Sequence, residues 1–125
     1  MPIETVHVSM RDRDHLIKLK RLTGIKNWNV LCRWAFCISL AEPSPPRVEK
    51  IPADSPIEMT WRTFGGENDS LYLALLKERC RQDGLDLSDK TLSTQFSIHL
   101  HRGIGYLAGD PDVRSIAGLI AKAVG

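Results

Sequence analysis

Apolar and polar positions change their period several times along the chain, and each change predicts an element. From Ile3 to Val8 they alternate: Ile3, Thr5 and His7 fall on one side, Glu4, Val6 and Val8 on the other. β-Branched residues dominate this stretch, which predicts a short strand. A strand so short has to pair, its own copy in a second subunit being one candidate. Ser9 then offers an N-cap hydroxyl, with Asp12 three residues on at capping-box spacing. Leu16, Leu19 and Leu22 recur every third residue and predict a helix from Met10 to about Thr23. Gly24 supplies the left-handed residue that ends it.

A second helix is predicted from Asn27 to Ala41, stopped by Glu42-Pro43. Apolar side chains go nearly all the way round it, and Arg33 is its only charge between Trp28 and Ala41. A helix apolar on every face must be buried on every face, and a small chain has little room to enclose one. Trp28, Leu31, Trp34, Ala35 and Ile38 are therefore assigned to a contact with another subunit, in a dimer or a tetramer.

Five prolines between Pro43 and Pro56 predict an extended connection without regular structure. Ile57 to Trp61 alternates again, as a strand or as extended chain, and Gly65-Gly66 breaks it. A third helix is expected from Ser70 to Gln82, capped by Asn68 or Asp69, with Leu71, Leu75 and Leu76 inward. Ser88 caps a fourth from Asp89 to His101, which Gly103 and Gly105 are expected to bend or end. Asp110 and Pro111 open a last helix with Ile116, Leu119, Ile120 and Val124 as its apolar stripe. The fold class is mainly α: a ribbon-helix-helix-like N-terminal motif, with a short strand plus two helices, then about three further helices. We read residues 1–125 as a single domain: a basic strand-helix-helix motif over 1–42, the Pro-rich connection over 43–56 and a helical remainder over 57–125.

Charge sharpens this picture. The net value of +2 hides an asymmetry: residues 1–47 hold eight Lys/Arg against four acids, and the rest holds nine against eleven. A basic N-terminal third points to a polyanion partner. Arg11, Arg13, Lys18, Lys20, Arg21 and Lys26 are the candidate phosphate contacts, and Thr5 and His7 are the strand residues able to reach base edges. No apolar run approaches the roughly 18 residues a membrane span needs. The N-terminus lacks a signal-peptide core, and three cysteines cannot all pair, so a reduced, cytoplasmic protein is expected.

Catalytic chemistry finds little support in the residues. Cys32 and Cys37 lie about 140° apart on one helix and read as buried structural thiols. Cys80, flanked by Arg79 and Arg81, sits where a thiol pKa can fall, but no base stands beside it in the sequence. His99 and His101 diverge by about 200° on a helix and lack further ligands at metal spacing. We expect no catalytic residue, metal or cofactor.

The stretch Lys20-Arg-x-Thr-Gly-Ile-Lys-x-Trp-Asn-x-Leu-Cys-Arg-Trp-Ala-Phe-Cys37 closely resembles the DndE family of bacterial DNA phosphorothioation systems. Glu58-Met-Thr-Trp61, Phe64-Gly-Gly66 and His99-Leu-His-Arg-Gly-Ile-Gly-Tyr-Leu107 resemble it too. The resemblance implies a restriction-modification-type system in which a non-bridging phosphate oxygen is replaced by sulfur. There, other members supply the desulfurase, the iron–sulfur protein and the ATPase. It also implies a small accessory subunit with a ribbon-helix-helix-like fold that binds double-stranded DNA and self-associates as a homo-oligomer. Since Lys and Arg grip backbone and a nick makes duplex cheaper to bend, a modest preference for nicked duplex is our own further expectation. The runner-up reading is an adaptor that docks on the desulfurase or ATPase component without touching DNA. A nucleophile or sulfur carrier at Cys80 is a third.

Overall fold

The computed structural model describes residues 2–124, without the side chain of Val124. Strand β1 (Thr5–His7) leads into helices α1 (Met10–Thr23) and α2 (Trp28–Ala41), so the expected strand-helix-helix order is present. An irregular strap over residues 42–57 follows, then β2 (Glu58–Thr60), the short α3 (Trp61–Gly65) and one 3-10 turn (Gly66–Asn68). Helices α4 (Asp69–Gln82), α5 (Asp89–Gly109) and α6 (Ile116–Val124) complete the chain.

The partner of β1 is not another subunit's strand but β2, some 50 residues along the same chain. The two run antiparallel with Thr5 opposite Thr60, Val6 opposite Met59 and His7 opposite Glu58. Val6 and Val8 pack inward while Thr5 and His7 face solvent, as the alternation required. Ile3 precedes the strand proper and is also buried.

Helix α1 starts as expected: the Ser9 hydroxyl accepts from the Asp12 N–H at 3.2 Å. Asp12 does not complete a capping box, because the Ser9 N–H donates instead to His101 Nε2 at 3.0 Å. Gly24 takes φ 75° and returns its N–H to the Lys20 carbonyl, closing the helix.

Helix α2 is the axis of the molecule. Phe36 on it meets Phe96 of α5 at 5.0 Å and Phe64 of α3 at 5.9 Å between ring centroids, and Trp61 stacks on Phe64 at 5.1 Å. This aromatic centre is continuous with Leu16, Leu19, Leu76, Leu100, Ile104 and Leu119. The contact between α2 and α5 is the most extensive in the chain, and Gly103 makes it possible. A Cβ there would fall on the Ala35 carbonyl oxygen and lie 2.9 Å from the Ala35 Cα. Instead of breaking α5, Gly103 lets its backbone rest on that of α2, and the helix runs unbroken through Gly105 to Gly109.

Two other expectations change. Leu71 and Leu75 of α4 are exposed; the buried edge is Leu76, Arg79 and Cys80, with Tyr72 and Leu73 half-buried. Asp110 is not the cap of α6 but closes α5, with its N–H on the Leu107 carbonyl and its carboxylate 2.6 Å from Lys122 Nζ. The last helix opens six residues later, where the Ser115 hydroxyl accepts from the Gly118 N–H. Of its expected stripe only Leu119 is buried. Ile116 and Ile120 are exposed, and the Val124 side chain lies outside the described residues.

Candidate nucleic-acid interface

Helix α1 buries Asp12, Leu16, Leu19 and Thr23 and turns its remaining arc outward. At 100° per residue, Arg11, Lys18 and Arg21 recur along one flank, while Arg13 and Lys20 follow another. Arg11 to Arg21 spans ten residues, about 15 Å of helix. Arg11, Arg21 and Lys26 are exposed, and Arg21 and Lys26 make no ion pair among the described residues. Arg11 Nε is 3.8 Å from Asp12 Oδ1, and Arg13 lies 3.5 Å from Asp14. The two lysines already have intramolecular work. Lys18 donates to the Ala108 carbonyl at 2.9 Å, satisfying an end of α5, and Lys20 sits 3.9 Å over the Trp28 ring. The six cations are thus brought to one helix and its exit; three of them, Arg11, Arg21 and Lys26, are exposed, and of these Arg11 is already paired with Asp12. His7, beyond the helix, lies 3.4 Å from the Glu58 carboxylate.

The residues assigned to a subunit contact divide as well. Leu31 and Ala35 have no exposed surface: they lie in the protomer's own core, Ala35 against Gly103, and are withdrawn from that contact. Trp28, Trp34 and Ile38 remain half-buried, Trp28 beneath Lys20 of α1 and Trp34 on the open side of α2. A shallow groove of about 280 Å³ runs there between Val30, Arg33, Trp34, Cys37 and Tyr72.

Of the cysteines, Cys32 is buried and its thiol is pushed up to about 12 by desolvation. Cys37 is exposed, contrary to expectation, because it projects from that open side. Cys80 is buried; burial first, then Asp83 and Asp86, raise its pKa, against the opposing pull of Arg79. The flanking arginines therefore do not activate it. Their charge is diverted, Arg79 to Asp83 at 3.0 Å and Arg81 to Glu78 at 2.6 Å.

His99 and His101 do diverge, each to a structural partner. His99 Nδ1 is 2.8 Å from Ser39 Oγ of α2, which also accepts from Arg102 Nε. Burial, reinforced by the Arg102 and Arg79 charges, lowers the His99 pKa to about 4. His101 donates Nδ1–H to the Ser97 carbonyl and accepts the Ser9 N–H on Nε2, which requires the neutral ring. Burial lowers its pKa too. In the unfolded chain both rings protonate near pH 6.5. Between that pH and about 4 the unfolded state binds more protons, so stability is full above about 6.5 and is lost as pH falls towards 4. For His99 the loss is on the order of 3 kcal/mol. Urea midpoints at pH 7.5 and 4.5 measure it, and His99→Gln should flatten the difference.

Among the described residues no helix is long and apolar enough to cross a membrane, and no three His, Cys, Asp or Glu side chains gather where they could hold a metal ion. The model of a family described as DNA sulphur modification protein DndE matches residues 5–115, nearly the whole chain. The chain belongs to the DndE family. Its fold is similar to the crystal structure of DndE from Escherichia coli B7A, described as involved in DNA phosphorothioation modification. That likeness has a TM-score of 0.71 and 27% identity, covering 86% of this chain and 98% of the other. A DndE variant with glycine-to-lysine substitutions, also described as involved in DNA phosphorothioation, matches with a TM-score of 0.66 and 25% identity, over 86% of this chain and 98% of its own. No curated protein matches the chain.

Two further cations, absent from the set expected on α1, belong to the same surface of this DndE-family chain. Arg47 of the strap and Arg102 of α5 line a cleft together with Arg11. Nothing local marks them, since each comes from a different element and only the strap's path brings them to the start of α1.

Proposed function

We propose that this protein is a non-catalytic, DNA-binding accessory subunit of a DNA phosphorothioation system. It works in the cytoplasm as a homo-oligomer beside the components that carry out the sulfur chemistry. It grips duplex backbone with little sequence specificity and holds nicked duplex more tightly than intact duplex, because a nick makes the duplex cheaper to bend onto the protein. The observation that carries this reading is the exposed row of Arg11, Arg21 and Lys26 on α1 and its exit. Exposed cations on and just after a helix, Arg21 and Lys26 without an ion pair among the described residues, suit phosphates, which fix position without reading sequence. Membership of the DndE family and the phosphorothioation role stated for the Escherichia coli relative support the cellular setting. The half-buried Trp28, Trp34 and Ile38 support self-association, since leaving their remaining apolar surface in water is costly.

Arg21 and Lys26 carry no intramolecular bond among the described residues, so replacing them with Arg11 as glutamines tests the grip without disturbing the fold. The triple substitution should weaken binding to unrelated duplexes alike. It should also reduce the slope of log affinity against log salt by about 0.9 for each phosphate that is no longer neutralised. A gel-shift titration with an unchanged slope overturns the proposal and favours an adaptor that never touches DNA.

A further inference from the structure

The start of α1, the strap and the middle of α5 line a cleft of about 360 Å³ that shares only Arg11 with the backbone grip. Arg11, Arg47, Glu49, His101, Arg102 and Tyr106 are among its lining residues. Three guanidinium groups thus face one carboxylate, a surplus of positive charge in a concavity.

Two walls are rigid. Arg102 gives Nε and Nη2 to Ser39 Oγ and Ser39 O, both at 2.8 Å, and Nη1 to the Ser44 carbonyl at 2.7 Å. All three acceptors are neutral, so its charge is held in place without being cancelled. His101 is fixed at both ring nitrogens. The Arg102 guanidinium carbon lies 5.6 Å from the Tyr106 ring centroid, and Tyr106 keeps 44% of its surface exposed. Arg47 is exposed and makes no ion pair among the described residues. Gly105 also lines the cleft, and a Cβ placed on it would meet nothing within 4 Å outside its own chain neighbours and the helix backbone.

We propose that this cleft holds one nucleotide, its phosphate on Arg47 and Arg11 and its base against the Tyr106 and Arg102 planes. The unpaired Arg47 guanidinium, with Arg11 loosely held at 3.8 Å from Asp12, selects a phosphate, and a tyrosine beside a pinned guanidinium plane is what an unpaired base stacks on. The volume suits a single small ligand rather than a duplex. The ligand has two sources: a free mononucleotide, or an unpaired nucleotide at a strand end in DNA. Only the second rests on the DNA-binding role.

The full-length protein is titrated with dAMP by calorimetry, and with blunt and three-nucleotide-overhang duplexes of equal length by fluorescence anisotropy. Tyr106→Leu should weaken overhang binding roughly 10-fold and leave blunt-duplex binding unchanged, while Tyr106→Phe restores wild-type affinity. Arg47→Gln should weaken overhang binding by more than it weakens blunt-duplex binding. Saturable dAMP binding that both substitutions weaken assigns the cleft to free nucleotides as well. Wild type that binds dAMP but neither duplex sinks the DNA grip and upholds the cleft. Overhang binding indifferent to both substitutions, with no dAMP binding, overturns the cleft and leaves the grip standing.

Discussion

Gly103→Ala should destabilise the protein by about 3 kcal/mol or more, whereas Gly105→Ala, two residues on in the same helix, should stabilise it by roughly 0.5–1 kcal/mol. The two substitutions add the same methyl group to the same helix, and helix propensity favours both. What separates them is the neighbour. At Gly103 the new Cβ lands on the Ala35 backbone of α2, which is pinned by Phe36 and Leu31 in the core and cannot step aside. At Gly105 it meets nothing within 4 Å. Overpacking against a flexible side chain is relieved by a rotamer change; here α5 has to slide away from α2 along its main contact. Thermal or urea unfolding of the pair decides the matter, and equal stabilities would show that the helices are not in backbone contact.

The same position shows where the sequence is readable and where it is not. Helix α1 was legible because its signals are local: a serine cap, leucines at period three and a terminal glycine lie within sixteen residues. The fold class followed from such signals. Gly103 carried the opposite local message, since a glycine inside a helix reads as a weak point, and only the partner helix 68 residues earlier reveals its purpose. The strand partner was missed for a similar reason: β2 is three residues long and lies beyond a proline-rich strap. On α2 the error was one of geometry. All-round apolarity does demand burial, but α3 and α5 meet most of that demand through Phe64, Trp61 and Phe96. That leaves Trp28, Trp34 and Ile38, not Leu31 or Ala35, for a partner. At the interface the charges were legible, but their engagement was not. Lys18 and Lys20 look as free as Arg21 until the end of α5 and the Trp28 ring are placed beside them.

Arg79 is the charge whose role differs most from its sequence appearance, and its removal should rank with Gly103→Ala in effect. It is almost fully buried, although Arg81, two residues away, is mostly in water. Its guanidinium reaches Asp83 Oδ2 at 3.0 Å, the Leu40 carbonyl at 2.9 Å, the Ser44 carbonyl at 2.8 Å and the Pro43 carbonyl at 3.3 Å. The last turn of α2 contains no basic residue of its own; Arg79 supplies a donor to the Leu40 carbonyl, while Arg102 adds a second donor to the Ser39 carbonyl, which also accepts the Glu42 N–H. Arg79→Ala strands a nearly buried Asp83 carboxylate and unties the strap from α2. The expected cost is about 3–5 kcal/mol, the range for breaking one side of a buried pair. Arg81→Ala removes an exposed pair with Glu78 and should cost no more than about 1 kcal/mol. Arg79→Lys should recover little, because one ammonium group cannot span acceptors on three sides as the fork does. Adding Asp83→Ala to Arg79→Ala should give back part of the loss, since the stranded carboxylate goes with it. Chemical denaturation of these four variants separates a buried clamp from a surface charge. Arg79→Ala within about 1 kcal/mol of wild type, the range of an exposed pair, would mean that the strap is held without the Arg79 clamp, by Arg102 on the Ser44 carbonyl and the bonds of Asp54 and Ser55 to Met10 and Val8 around the start of α1.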